Sequence, residues 1–120
     1  MRNDKQNIIV DLSFQFAILV IEFSELLEEN KKFVLARQIL KAGTSIGANI
    51  REALNAESKL DFIHKMKIAA KESDETEYWL LLCKKSKNYP DPQLLIERLN
   101  EILKLISKII STAKNNLKNI

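Results

Sequence analysis

Apolar residues recur along the whole chain at alternating spacings of three and four, which places them on one face of an α-helix. Polar or proline-containing breaks divide this pattern into four segments, and these predict helices over about residues 5–29, 32–57, 59–88 and 92–115. The recurring positions, called seam residues below, are Ile9, Leu12, Phe16, Leu19, Phe23 and Leu26; Leu35, Ile39, Ala42, Ile46, Asn49, Ala53 and Ala56; Phe62, Met66, Ala69, Ser73, Thr76, Leu80 and Cys83; and Leu95, Leu99, Ile102, Ile106, Ile109 and Ala113.

The breaks carry signals of helix ends. Asn30 is a candidate N-cap for the second helix, and Ser58 is one for the third. The run NYPDPQ ends the third helix at Pro90 and lets Asp91 cap the fourth. Because short links between long helices favour antiparallel neighbours, residues 1–120 are predicted to form one all-α domain, an antiparallel up-down-up-down four-helix bundle.

Composition supports long helices with few turns, since the chain has only two glycines, two prolines and 46% hydrophobic residues. One cysteine, Cys83, excludes an internal disulfide. We see no secretory signal, and no apolar run approaches the roughly 18 residues of a membrane span. The expected location is therefore the cytoplasm, without membrane contact.

Both glycines lie in the second segment, within GTSIGANIREA. A glycine inside a helix costs about 1 kcal/mol relative to alanine, so some packing advantage should offset it. The spacing of Gly43 and Gly47 favours close approach of another helix. The alternative is a kink at Gly43, or a helix that begins near Thr44.

Several polar residues lie in or beside the second and third seams. Because a buried polar group needs a partner, we expect Ser45, Asn49 or Glu52 to hydrogen-bond to Ser73, Thr76 or a lysine. Such a buried polar network would fix the register of the helices, as a polar seam residue does in coiled coils. The alternative is a ligand site.

Two apolar surfaces lie outside the seams. In a monomeric bundle the face opposite a seam should be polar, so these surfaces predict a subunit interface and a homo-oligomer. The alternative is a thick core in which a rotated first helix buries both of its sides. The candidate interface residues are Phe14, Ile18 and Ile21 on the first helix and Ile68, Tyr78, Trp79 and Leu82 on the third.

Charge is unevenly distributed, although the whole chain carries only +3 with a pI near 9.0. Residues 1–30 have a net charge of −4, and the remaining segments are basic. Arg37, Lys41 and Arg51 line the outer face of the second helix and are candidates for binding RNA or DNA through phosphates. No aromatic residue alternates with them, so base stacking is unsupported, and a solvated face is the alternative.

Catalytic chemistry finds little support. His64 is the only histidine, and with Asp61 it makes one incomplete metal-binding pair. Cys83 lies in a seam and is expected to be a small buried hydrophobe. We expect Glu72, Glu75 and Glu77 to form salt bridges and not to act as general acids or bases. We therefore expect no catalytic residue, no metal, no cofactor and no enzymatic activity.

The run from Gln38 to Leu82, QILKAGTSIGANIREALNAESKLDFIHKMKIAAKESDETEYWLLL, resembles the signature of the 23S rRNA intervening sequence proteins. The family pattern reads Q-L-x-R-S-G-T-S-I-G-A-N-I-x-E-A, then S-x-x-D-F-I, then I-A-x-K-E-x-x-E-T-x-Y-W-L. The run from Ser13 to Leu27 also resembles the family's first helix, and the resemblance covers roughly residues 8–110. Lys41 and Ala42 replace the usual Arg-Ser, which weakens any claim about that basic position.

This resemblance implies a left-handed up-down bundle that assembles into a ring, typically a homopentamer. Members of the family are encoded in bacteria, either within insertions in 23S rRNA genes or as free-standing genes. The family has no established enzymatic activity. The accessory variability protein of diversity-generating retroelements is similar in fold, and it binds nucleic acid and a reverse transcriptase. The first hypothesis is therefore an oligomeric scaffold for nucleic acid or a protein partner. The second is a protein-binding or assembly module without nucleic-acid contact.

Overall fold

A computed structural model of the protein describes residues 3–118. Within this range the chain forms four α-helices and no strand, which confirms the predicted all-α class. The helices are α1 (Asp4–Glu29), α2 (Phe33–Leu54), α3 (Lys59–Lys85) and α4 (Gln93–Lys118). α2 and α3 each end three residues before the predicted end.

The link between α1 and α2 differs from the prediction. Asn30 follows the last residue of α1, and its side-chain amide donates to the carbonyl of Leu26 at 2.9 Å, so it closes α1 and does not cap α2. Lys31 then takes a positive φ of 62°, which turns the chain. Lys32 precedes α2 without a capping hydrogen bond from its side chain.

The other predicted caps form as expected. The Ser58 hydroxyl accepts a hydrogen bond from the backbone N–H of Asp61 at 3.0 Å, which satisfies one of the free donors at the start of α3. The Asp91 carboxylate accepts from the backbone N–H of Gln93, the first residue of α4, at 3.1 Å.

The four helices make a rod of 53 × 21 × 21 Å, and each helix packs against two others. α1 contacts α2 and α4, and α3 also contacts α2 and α4. The seams of α2, α3 and α4 supply most of the core as predicted. Their fully buried side chains include Ile39, Ile46, Met66, Leu80, Leu99 and Ile106.

α1 is rotated relative to its predicted seam. Leu26 is 42% exposed and Leu12 and Leu19 are only partly buried, whereas Val20 and Leu27 are fully buried. Positions 13 and 24, both serines, are buried as well. Ile9, Phe16 and Phe23 remain in the core. At the other three seam positions the buried residue is the next one along the chain, so the buried face of α1 is rotated towards those residues.

Gly43 explains part of this rotation. A β-carbon at position 43 would lie 2.7 and 2.8 Å from the two γ-methyl groups of Val20, so α1 approaches α2 at a point where only glycine fits. At Gly47 the nearest atom would be the Ser13 hydroxyl oxygen, at 3.4 Å. α2 continues through both glycines without interruption, so the structure has the close packing and not a kink.

The hydropathy of α1 also departs from the sequence-based expectation. Among residues 3–118, α1 is the one helix that is long and apolar enough to cross a membrane by length and composition alone. One third of its most apolar window is buried inside the bundle. A core helix of a soluble protein passes the same test, so this feature is weak evidence for membrane insertion.

Candidate assembly and nucleic-acid surfaces

The first candidate surface is the outer side of α1, called the α1 face below. Phe14 is 55% exposed, and Ile18 and Ile21 are each 44% exposed. Exposed carboxylates flank these side chains, at Asp11, Glu22 and Glu25. The α1 face is therefore apolar and has acidic neighbours on the same helix.

A groove extends the α1 face towards α4. Its volume is about 260 Å³. Ile18 lies at its edge, and Arg98 of α4 supplies a cation on the opposite side. Leu12 and Leu19, which the sequence placed in the core, line its wall. The rotation of α1 therefore widens the apolar surface beyond the three predicted residues.

The second candidate surface is the outer stripe of α3. Tyr78 is 57% exposed and Leu82 is 36% exposed, whereas Ile68 and Trp79 are partly buried. The Tyr78 and Trp79 rings meet edge to face with centroids 5.2 Å apart. Trp79 packs against the core, and its indole N–H is buried without an acceptor in residues 3–118. This stripe is thus less exposed than the sequence suggests.

The hydroxyl and amide groups of the predicted polar network form hydrogen bonds within their own helices. The Ser73 hydroxyl donates to the carbonyl of Ala69 at 2.8 Å, and the Thr76 hydroxyl donates to the carbonyl of Glu72 at 2.7 Å. Both residues are buried, and hydroxyls on a helix satisfy themselves in this way without a partner helix.

On α2 the pattern is the same. Ser45 donates to the carbonyl of Lys41, and the Asn49 amide donates to the carbonyl of Ser45, each within α2. Glu52 pairs with a lysine, which is one of the expected alternatives: its carboxylate lies 3.5 Å from the Lys65 ammonium of α3. Glu52 is exposed, however, which corrects its assignment to a buried network. That pair links α2 to α3 at the surface.

The three candidate nucleic-acid-binding residues are all exposed on α2. Their surroundings differ. Lys41 lies near Glu72 of α3, where its charge lowers the pKa of that carboxyl. Burial and the neighbouring Glu75 outweigh it, so the pKa of Glu72 is raised. Part of the Lys41 charge is therefore balanced within the protein.

Arg51 lies on the opposite edge of this basic face, next to α1. Its guanidinium carbon is 5.9 Å from the centroid of the Phe14 ring, within the range of a cation–π contact. The sequence reasoning missed this contact because it compared residues only within one helix. The contact depends on the register between α1 and α2, which places Gly47 beside Ser13 and the next turn of α2 beside Phe14.

The residues considered for catalysis are separated. Cys83 is buried, and burial raises the pKa of its thiol to about 11. His64 is exposed at the start of α3. Within residues 3–118 no group of three or more His, Cys, Asp or Glu side chains is placed to hold a metal ion.

Comparison with known proteins places the bundle among relatives. The family described as 23S rRNA-intervening sequence protein matches residues 5–111. A crystal structure of a protein of unknown function from the S23 ribosomal protein family of Bacteroides thetaiotaomicron is similar, with 44% sequence identity and a TM-score of 0.84. The alignment covers 89% of this chain and 98% of that one. No curated protein matches the chain. Both candidate surfaces lie within the matched residues.

Proposed function

The chain belongs to the 23S rRNA-intervening sequence protein family, and from that premise we propose that it is a non-enzymatic scaffold which assembles with copies of itself and binds nucleic acid. One observation carries this proposal. The α1 face is apolar and exposed outside the buried core, and the basic face of α2 adjoins it, with the Arg51 guanidinium carbon 5.9 Å from the Phe14 ring centroid. Exposed apolar surface of this kind is typical of interaction sites.

We propose the up-down-up-down order for the bundle. Consecutive helices pack against each other, and the links between them are short. Between α1 and α2 the pairs Gly43–Val20 and Gly47–Ser13 run in opposite directions along the chain. This antiparallel register supports the same arrangement for the remaining pairs.

For the assembly we propose a head-to-tail contact between copies. Two α1 faces meeting about a two-fold axis would bring their flanking carboxylates together. The outer stripe of α3 is a better partner, because Lys84 and Lys85 lie beyond Tyr78 and Leu82 at its C-terminal end. A contact between two different surfaces closes into a ring when the rotation allows it. We propose a ring of five copies, the number that the family resemblance implies.

The nucleic-acid part of the proposal rests on Arg37 and Arg51. Both are exposed, and neither forms an ion pair within residues 3–118. In a ring these cations would recur in every copy and add to one another, which favours salt-sensitive binding to phosphates without sequence preference. Lys41 contributes less, since it lies near Glu72.

The absence of an enzymatic role is also part of the proposal. The raised pKa of Cys83, about 11, keeps its thiol neutral and poorly nucleophilic at neutral pH. Glu72, Glu75 and Glu77 of α3 do not share one side of the helix, because Glu77 lies on roughly the opposite side from Glu75. We propose a cytoplasmic location for the assembled protein.

A second candidate is a protein-binding or assembly module without nucleic-acid contact. The breadth of the apolar surface favours it, because the α1 face and the adjoining groove offer more to a protein than to a polyanion. The acidic flanks of α1 also repel phosphates.

Salt titration separates these two candidates. Binding of labelled RNA and DNA is measured from about 50 to about 200 mM salt. Over this range, added salt steeply weakens binding that depends on several phosphate contacts. The double variant Arg37→Gln/Arg51→Gln should bind more weakly with a shallower salt dependence. The control, Lys104→Gln/Lys108→Gln on α4, loses the same charge elsewhere and should bind more nearly as wild type does. No wild-type binding at about 50 mM would favour the protein-binding module.

A further inference from the structure

Phe14 of α1 and Arg51 of α2 form a cation–aromatic pair at the surface, with the guanidinium carbon 5.9 Å from the ring centroid. The Phe14 ring is 55% exposed, and Arg51 has no carboxylate within ion-pair distance in residues 3–118. We infer that this pair is a stacking site for a base of single-stranded nucleic acid. The inference rests on the proposed nucleic-acid binding and gives it a specific site and strand type. It assigns to the contact between copies the part of the α1 face that borders the α4 groove, with Ile18, and leaves Phe14, which lines the groove towards α2, open to the base.

The space beside the pair suits a flat ring. A groove of about 230 Å³ lies between α1 and α2, and the helices contribute only short side chains to it. Its lining, besides the pair itself, consists of Ser13, Ala17, Thr44, Gly47 and Ala48. The Thr44 hydroxyl donates to the carbonyl of Leu40 at 2.7 Å, so its oxygen remains free to accept a hydrogen bond from a base.

The chemistry of the two side chains selects a single strand. An aromatic face and a guanidinium plane both stack on an unpaired base, and the guanidinium also binds phosphate. In a duplex the base faces are covered by their neighbours, which leaves only the phosphate contacts. Arg37 lies fourteen residues before Arg51 on the same helix, about 21 Å away along its axis. A strand held at the pair reaches that second cation within a few nucleotides.

Four variants separate stacking from charge and packing. Phe14→Leu keeps an apolar side chain but removes the aromatic face, and Phe14→Tyr keeps the face. Arg51→Lys keeps the charge but removes the planar group. Arg98→Lys on α4 is the matched control, since Arg98 is exposed, lies outside the proposed nucleic-acid surface and forms no cation–aromatic pair within residues 3–118.

The experiment measures fluorescence anisotropy with a labelled 20-nucleotide uridine RNA and with a duplex of equal length, at about 50 mM salt. Wild type should bind the single strand more tightly than the duplex. Phe14→Leu and Arg51→Lys should each weaken single-strand binding about tenfold, within the range for loss of one base stack. Phe14→Tyr, which keeps the aromatic face, should retain single-strand binding, and Arg98→Lys should bind as wild type does. Duplex binding should not change in Phe14→Leu.

Each other outcome has a distinct meaning. If wild type binds nucleic acid and both Phe14→Leu and Arg51→Lys bind the single strand as tightly as wild type does, the inference is wrong but the proposed function stands. The same conclusion follows if wild type shows no preference for the single strand over the duplex. Wild type that binds neither nucleic acid overturns both. If Phe14→Leu lowers the oligomer mass in light scattering while Arg51→Lys binds normally, Phe14 is a contact between copies and the inference is wrong.

Discussion

Gly43 of α2 faces Val20 of α1 so closely that a β-carbon on Gly43 would lie 2.7 Å from one γ-methyl group of Val20. Val20 is fully buried, and α2 is helical on both sides of the glycine. The two residues therefore set how near the helices come and which side of α1 turns inward. That orientation leaves Phe14, Ile18 and Ile21 at the surface.

Substitution of Gly43 by alanine should destabilise the protein. The new methyl group meets both γ-methyls of Val20, and overpacking of this kind costs about 1–3 kcal/mol, against about 1 kcal/mol gained in helix propensity. We expect a net loss of up to about 2 kcal/mol in the free energy of unfolding, measured by urea denaturation. In a Val20→Ala background, where the opposing methyls are gone, the same substitution should cost less.

Gly47→Ala is the matched control for this prediction. Its new β-carbon meets nothing nearer than the Ser13 hydroxyl oxygen at 3.4 Å, an ordinary contact. The variant should therefore be as stable as wild type or up to about 1 kcal/mol more stable, through helix propensity. Equal losses in both glycine variants would show that helix contact at Gly43 is not the cause.

Cys83 should be unreactive in the folded protein. Burial raises the pKa of its thiol to about 11, and only the thiolate reacts with thiol reagents. At pH 8 the thiolate fraction is about a hundredfold below that of an unperturbed cysteine. We expect the rate of labelling by a thiol-specific reagent to follow unfolding, and full labelling only in denaturant. Rapid labelling of the native protein would contradict the packing around α3.

Glu72→Gln should stabilise the protein near neutral pH. Burial and the nearby Glu75 raise the pKa of Glu72 above its usual value of 4.5. The folded state therefore holds the proton more tightly than the unfolded state, and wild type loses stability as the pH rises through this range. The advantage of the glutamine variant should be present at pH 7 and shrink towards pH 4. Unfolding free energies of both proteins at the two pH values test this.

Substitutions in the proposed contact between copies, one that adds a charge and one that removes a large apolar ring, should break the contact. Ile18→Glu adds a carboxylate at the centre of an already acidic α1 face, and Trp79→Ala removes the large ring of the α3 stripe. Both should lower the oligomer mass in light scattering. Leu60→Glu is the control, because Leu60 is 66% exposed but lies outside both surfaces. An unchanged mass in both test variants would place the contact elsewhere.

The four helices could be predicted from the sequence because apolar spacing reports helix periodicity directly. The seams of α2 and α4 hold because each helix has one dominant apolar side, with core residues such as Ile46 and Ile106. The α3 seam also holds, with Leu80 in the core, although α3 carries a second apolar stripe. α1 has apolar residues on several sides, so periodicity could not decide its rotation. Its orientation depends on the shape of α2 at Gly43, a contact between residues distant in the chain.

The candidate sites were predictable only in part. Exposure of Phe14 and the arginines follows from their place opposite a seam. The hydrogen-bond partners could not be predicted in this way. The hydroxyls of Ser73 and Thr76 can donate either to a neighbouring helix or to a carbonyl one turn earlier in α3, and helix geometry favours the carbonyl. The contact of Arg51 with Phe14 depends on the register between two helices, which seam spacing within one helix does not contain.

The absolute mass of the wild-type protein in dilute solution tests the central claim most directly. One chain has a mass of 13.8 kDa. Size-exclusion chromatography with multi-angle light scattering should give a single species whose mass is a multiple of that value. For the proposed ring the mass should correspond to five chains. A stable species of one chain, with the α1 face open to water, would contradict the account.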